Sequence, residues 1–335
     1  MHKRMRLAAL SVVSATVMVG CGTTALPEEQ AGGPAAAGSQ VDYTPGPPVK
    51  PSDGKTLRIG ASFPILDQFL QKVADGITTR AAQSGATASI VSAQERTDVQ
   101  LGQIENFISQ KVDGLIVLPQ DTDATSQITT KAKAAGIPLV YVNRRPADIP
   151  ADVPYVGSDS LVAGKLQMEA LGKLVNNTGN VAILQGDPGQ EAARQRTKGC
   201  EDTANELGMK VTRKAAGNWY RDKGLSITEN WLQSGDQIDV ICSNNDEMAL
   251  GAIQALRAAG KLNQIKVGGV DATADALAAM KAGALPVTVF QDAKGQGFGG
   301  VDTIVRLYNK EDVPSFVNVP YQLVTPQNMN DFVGR

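Results

Sequence analysis

From Lys55 onward the chain alternates between two rhythms. Short, unbroken apolar runs stand at LRIGAS, ASIVSA, GLIVLP, IPLVYVN, NVAILQG, DVICSN, IKVGGV and LPVTVFQ. Between them lie stretches with helical spacing. Phe69, Val73, Ile77 and Ala81 recur at every fourth residue, and Leu101, Ile104 and Ile108 follow the i, i+3, i+7 rule. A short apolar run without polar alternation belongs to a strand covered on both faces. Such strands, joined by helices, form parallel sheets. About ten units of this kind are more than one compact open sheet usually carries. The pattern therefore predicts an α/β protein of two doubly wound parallel-sheet lobes.

Ahead of Lys55 the rhythm is absent. Residues 2–6 are largely basic, and Leu7 to Val19 form an apolar stretch of export-signal length, too short for a comfortable membrane span. The stretch ends at Gly20-Cys21, which resembles the lipobox of bacterial lipoproteins, where the Cys is acylated and becomes the first residue. Residues 1–20 are expected to be a lipoprotein signal peptide and Cys21 the lipidation site. Residues 21–54 are rich in Pro, Gly, Ala and Ser and have no apolar period. Such a segment buries too little surface to offset its ordering entropy, so a flexible tether is expected.

Composition narrows the chemistry. At 335 residues the chain is long enough for two sizeable cores, and 42% hydrophobic with 20% charged residues is ordinary for a globular protein. A formal charge of −2, with no basic run in the body, gives no support to nucleic-acid binding. Cleavage before Cys21 removes Lys3, Arg4 and Arg6 and lowers that charge to −5. It also removes His2, the only histidine. A mature chain without His has no Ser-His or Cys-His nucleophile and no His-ligated metal site. No metal or other cofactor is expected.

Two further features have bland readings. Export permits a disulfide between Cys200 and Cys242. The pattern puts one on a helix and the other in a buried strand, where free Cys behaves as a small hydrophobe. Two free thiols are expected. Gly295 to Gly300, GQGFGG, fits the dinucleotide-site pattern G-x-G-x-x-G, but no full βαβ unit follows it. Its small residues are expected to allow close helix packing.

In doubly wound sheets ligands sit beyond the carboxyl ends of the strands. Beyond those ends stand Phe63, Asp67 and Phe69, then Asn143-Arg144-Arg145-Pro146, then Arg194 and Arg196. Later come Trp219, Asn245-Asp246, Asp271 and Gln291-Asp292. Carboxylates and amide oxygens accept from hydroxyls, Arg donates through a planar fork, and aromatic faces cover C–H surfaces. This set suits a polyhydroxylated ring. Asn245 is read twice, as helix N-cap and as cleft residue. Asp246 and Glu247 are read as capping and lobe-contact residues.

SNNDEMALGAIQALRAAG, VGGVD and VTVFQD, together with VNRRP and AARQRTKG, resemble the ribose-binding-protein-like group of periplasmic sugar-binding proteins. The resemblance runs from about Lys55 to about Thr325. It implies the type I fold, with an N-lobe of 55–158 plus 292–320 and a C-lobe of 159–291 plus 321–335. Three hinge segments, a ligand in the cleft and delivery to an ABC permease follow from it, without chemistry on the ligand. A periplasmic monomer, held to the membrane by its lipid alone, is implied. Repressors of the lactose type share this fold, but carry a DNA-reading helix-turn-helix where this chain has its signal and tether.

Carried over position by position, the resemblance implies ligand roles for Asp67 and Phe69, with Phe63 as neighbour, and for Asn143, Arg144, Arg196, Trp219, Asn245, Asp271 and Gln291. The chain departs from the ribose pattern at four of these places. Asp67 stands for Asn, Phe69-Leu70 for a Phe pair, Asn143 for Asp and Trp219 for Phe. A broader stacking platform suits a six-membered ring, and Asn-Arg-Arg-Pro is similar to members that take up myo-inositol. The expected ligand is a cyclitol, with ribose or another monosaccharide next. A sensor that shows its closed state to a chemoreceptor or kinase is the alternative. An enzyme using Asp67 and Asp271 as paired carboxylates is a further one.

Overall fold

The computed structural model describes residues 39–235 and 237–335. The signal segment, Cys21 and the tether as far as residue 38 lie outside the described residues. The chain opens with β1 (Gln40–Asp42), β2 (Leu57–Phe63), α1 (Gln68–Ser84), β3 (Ala86–Ser92), α2 (Thr97–Ser109), β4 (Gly114–Val117), α3 (Ser126–Ala134), β5 (Leu139–Val142) and β6 (Tyr155–Gly157). It continues with α4 (Ser160–Leu174), β7 (Asn180–Gln185), α5 (Glu191–Glu206), β8 (Lys210–Ala216), α6 (Arg221–Gln233), β9 (Val240–Ser243) and α7 (Asp246–Ala258). It ends with β10 (Lys266–Gly268), α8 (Ala274–Lys281), β11 (Thr288–Phe290), α9 (Ala293–Tyr308), β12 (Phe316–Asn318) and β13 (Gln322–Val324).

Two sheets organise these elements. The first has the order β1-β12-β6-β5-β4-β2-β3, with every neighbouring pair parallel. The second has the order β10-β9-β7-β8, also parallel. The strands β11 and β13 form an antiparallel pair, linked to the second sheet by bridges Gly268–Val287 and Asp271–Phe290. The chain passes between the lobes three times, after β6, β11 and β12. This is the two-lobed type I binding-protein architecture. In each lobe one strand, β2 or β7, has its successor on one side and the strand after that on the other. A crevice opens at such a switch point, beyond the strand ends.

The apolar runs go where both faces are covered. All four residues of β4, β5 and β9 are buried. The helix α1 starts at Asp67, whose carboxylate accepts from Leu70 N, and stops at Gly85 with φ 75°. Its core face is Leu70, Val73, Ala74, Ile77 and Ala81. A four-residue spacing drifts around a helix of about 3.6 residues per turn, and Phe69, at one end of that row, is only half-buried. The GQGFGG stretch lies inside α9, where a Cβ on Gly297 would come within 2.4 Å of Val73 O on α1. Here glycine brings two helices together; no phosphate loop is formed.

Two expectations are corrected. Residues 40–54 belong to the folded N-lobe and are not a free tether. There β1 adds an edge strand to β12. Tyr43 donates to Asp302 at 2.8 Å, and Arg80 donates to Asp302 at 2.7 and 2.6 Å and to the Gly46 and Pro47 carbonyls at 3.0 and 3.1 Å. Asn309 holds Lys50 O and Ser52 N. The order comes from partners far along the chain, which local composition does not disclose. Cys200 and Cys242 are also not free thiols. They form a disulfide with a Cα–Cα distance of 6.6 Å, in a buried cluster with Val181, Ile183 and Val240. A helix Cys and a strand Cys meet because α5 packs on the second sheet, which spacing along the chain cannot show.

Candidate functional site

The ends of β2, β5, β7, β9, β10 and β11 converge on one cavity of about 360 Å³. Nine of the expected residues line it: Asp67, Phe69, Asn143, Arg144, Arg196, Trp219, Asn245, Asp271 and Gln291. Phe63 does not. It is the last residue of β2, fully buried in the N-lobe core. The strand continues through it, and the loop that reaches the cavity starts beyond it, so its place in the ligand set is withdrawn.

The two amides at the start of α7 have separate tasks. Asn244 Oδ1 accepts from Gly186 N and Thr197 Oγ1, both at 3.0 Å, and so ties down the loop after β7. Asn245 is the N-cap, with Oδ1 accepting from Met248 N at 3.1 Å. Its Nδ2 donates to Trp219 O at 3.1 Å. Capping and cavity position therefore coincide in one side chain. Asp246 faces inward, accepting from Thr288 Oγ1 at 2.7 Å and Thr273 N at 2.8 Å. Burial raises its carboxyl pKa to about 7, against the pull of those two donors.

The cationic part of the wall has two kinds of arginine. Arg196, 5% exposed, donates to Asn244 O at 2.7 Å, Gln291 Oε1 at 2.8 Å and Tyr321 OH at 2.9 Å. Its Nη1 is 3.8 Å from Asp271 Oδ1, and its guanidinium lies 5.6 Å from the Trp219 ring centre. Arg144 is also buried, yet has one long bond, to Pro119 O at 3.3 Å. Burial lowers its pKa to about 10, offset in part by Asp67 and Asp187. Most of its five N–H donors have no acceptor of their own among the described residues.

The acidic part is desolvated. Burial holds the Asp271 carboxyl well above its ordinary value, opposed by the Arg196 charge. Asp67 is open to the cavity but crowded by protein, and desolvation raises its pKa too. Asn143, Trp219 and Asp271 have φ of 64°, 75° and 121°. Such left-handed backbone is uncommon for these residues and costs free energy, and it collects at functional sites. The Trp219 indole lies on Gly186, where a Cβ would come within 2.2 Å of the ring.

The cavity also contains Glu247, read above as a capping and lobe-contact residue, and residues that sequence reasoning passed over, among them Glu95, Gln190, Tyr220, Arg221 and Asp275. Arg221 pairs with Glu247 at 2.8 and 2.9 Å and with Asp275 at 2.7 Å. Glu95 follows β3 and accepts from Tyr220 OH across the cleft. The apolar run ASIVSA marks the end of β3, but nothing local shows that the loop beyond this half-exposed edge strand reaches the cavity. Gln190 sits in the DPGQ turn, where nothing but the fold shows that its side chain turns to Trp219.

Two wound lobes, three crossings and a polar cavity walled by both define a hinged solute-binding protein. The periplasmic binding protein domain family matches residues 59–312, and the chain belongs to that family. A protein of Rhizobium meliloti named for rhizopine binding is 41% identical over 286 residues, covering 83% of this chain and 93% of that one. The ribose import binding protein of Bacillus subtilis is 32% identical over 281 residues, covering 83% and 91%. A solved ABC transporter solute-binding protein from Bacillus halodurans, with bound myo-inositol, superposes with a TM-score of 0.80. It is 43% identical and covers 84% of this chain and 98% of its own.

Proposed function

We propose that this chain is a lipid-anchored periplasmic solute-binding protein that captures a sugar or cyclitol, myo-inositol first and ribose or another monosaccharide next, and delivers it to an ABC permease. The observation that carries the reading is the make-up of one cavity. Acceptors Asp67 and Asp271, the donor Arg144, and the aromatic side chains of Phe69 and Trp219 enter it from both lobes. A polyol ring has hydroxyls that donate and accept at its edge and C–H faces that stack, so each group has a partner. The bound myo-inositol of the Bacillus halodurans protein supports a cyclitol over a pentose. The lobes close by a hinge and the closed form is what the permease reads. No bond of the ligand is made or broken.

Isothermal titration with myo-inositol, D-ribose and D-allose tests this. Saturable binding of one or more, strongest for myo-inositol, is expected, with the ligand recovered unchanged by NMR. Absence of binding to any polyol would overturn the reading.

A further inference from the structure

One buried side chain on the cavity wall is bonded to protein on every side. Gln190 is 2% exposed and stands at the N-cap of α5, yet makes no capping bond. Its Oε1 instead accepts from Trp219 Nε1 at 3.0 Å. Its Nε2 donates to Asp187 Oδ2 at 3.1 Å and reaches Gln120 O, in the other lobe, at 3.5 Å. Gln is not a favoured N-cap residue, so the cause of this side chain's position lies elsewhere.

The surroundings show what that cause is. Next to Gln190, Gly189 O accepts from Thr122 Oγ1 of the N-lobe at 2.9 Å, and Arg194 lies 3.4 Å from Asp123. At the residue after Trp219, Tyr220 OH meets Glu95 of the N-lobe. The indole is thus flanked by places where the lobes touch. Its backbone is left-handed at both Asn218 and Trp219, with φ of 51° and 75°. One ring contact is steric, against Gly186. The hydrogen bond to Gln190 is the one that fixes the direction of the indole N–H.

We infer that Gln190 is a positioning residue that couples ring stacking on Trp219 to lobe closure, and so sets selectivity among polyol rings. One amide does two things. Its oxygen holds the indole in the plane a ligand ring meets, and its nitrogen bridges to Gln120 as the lobes approach. A ligand that seats flat leaves both bonds intact. A ligand that tilts the indole draws Gln190 away from Gln120 and weakens closure. This rests on the proposal that a polyol ring occupies the cleft.

The test uses the full-length body in a Trp231→Phe background, which leaves Trp219 as the sole indole emitter because the chain has two tryptophans. Gln190→Glu keeps an acceptor for the indole, loses the donor and adds a charge beside Asp187. Gln190→Met fills the volume and does neither. Acrylamide quenching of Trp219 without ligand should be unchanged in Gln190→Glu and higher in Gln190→Met. On saturation with myo-inositol, the fall in radius of gyration by X-ray scattering should shrink in both variants. Affinity should drop about tenfold in each, the net worth of a buried hydrogen bond. The myo-inositol to D-ribose affinity ratio should fall in Gln190→Met.

Wild-type quenching, closure and affinity ratio in Gln190→Met would overturn the inference. Equal loss of quenching protection in Gln190→Glu and Gln190→Met would also overturn it, because the acceptor would then be irrelevant. If Gln190→Met fails to fold, the Gln190→Glu arm decides, and normal closure there ends the proposal. If the parent binds neither polyol, the proposed function fails on its own. The ligand-free quenching comparison still decides whether Gln190 positions the indole.

Discussion

Arg144 and Arg196 line the same cavity with the same charge and should answer to mutation differently. Arg196 fastens Asn244, Gln291 and Tyr321 together. Arg196→Ala removes three buried bonds and leaves their acceptors unsatisfied, at about 1–3 kcal/mol for each group. It should lower both the melting temperature and the affinity. Arg144 has one long bond to the protein. Arg144→Ala should cut myo-inositol affinity about a hundredfold, as charge-assisted bonds contribute about 1.5–3 kcal/mol, while the melting temperature hardly moves. Asp271→Ala should behave as Arg144→Ala does. Calorimetry and thermal unfolding on the three variants separate the roles; a large loss of melting temperature in Arg144→Ala would contradict this division.

Asp246 should make stability depend on pH. Burial raises its folded pKa from 3.8 to about 7. A group that holds its proton more tightly when folded stabilises the fold while protonated. That contribution is fully present below about pH 4 and is lost as pH rises through 7. The size is on the order of 4 kcal/mol. Asp246→Asn has no such proton to lose, and its amide oxygen can still accept one of the two bonds from Thr288 and Thr273. Thermal unfolding from pH 4.5 to 8 should show wild type losing ground relative to Asp246→Asn. A constant difference across that range would refute the assignment.

At the scale of elements, the Cys200–Cys242 disulfide ties α5 to β9 across 42 residues. Closing a loop of that length stabilises by about 2–4 kcal/mol, chiefly by restricting the unfolded chain. Export makes such a bond durable. Denaturation without reductant, followed by alkylation and mass spectrometry, should leave Cys200 and Cys242 unlabelled. Reduction should lower the melting temperature by several degrees. Labelling of both thiols before reduction would show that they are free. The helices and buried strands themselves were legible, since β4, β5 and β9 are covered on both faces and have no room for polar alternation. The strand β8, KVTRKAA, was not legible, because an edge strand faces water along one side and one edge and its run is polar. The three-residue strands β6 and β12 went unread, whereas the equally short β10 and β11 lie inside longer apolar runs.

At the scale of the molecule, the described body begins as an edge strand of the N-lobe. The proposed lipid on Cys21 would precede that lobe in the chain. One acyl chain binds a membrane marginally, whereas two or three hold firmly. Cys21→Ser should release the protein from membranes or leave it unprocessed, as fractionation and metabolic labelling with a fatty acid would show. Label entering the Cys21→Ser protein would remove the anchor from the proposal.

By itself, the sequence determined that this protein has two parallel-sheet lobes and which polar residues stand past the strand ends. Those facts are local: doubly covered strands need unbroken apolar runs, and the crevice of a wound sheet lies where each run stops. The absence of His from the expected mature chain was equally plain. Only the tertiary structure decided that Phe63 is core, that residues 40–54 are folded, that Cys200 meets Cys242, and that Gln190 holds Trp219. It also decided the left-handed backbone at Asn143, Trp219 and Asp271. Each of these depends on partners brought together by folding or on the sign of one torsion, and neither leaves a period in the chain to be read.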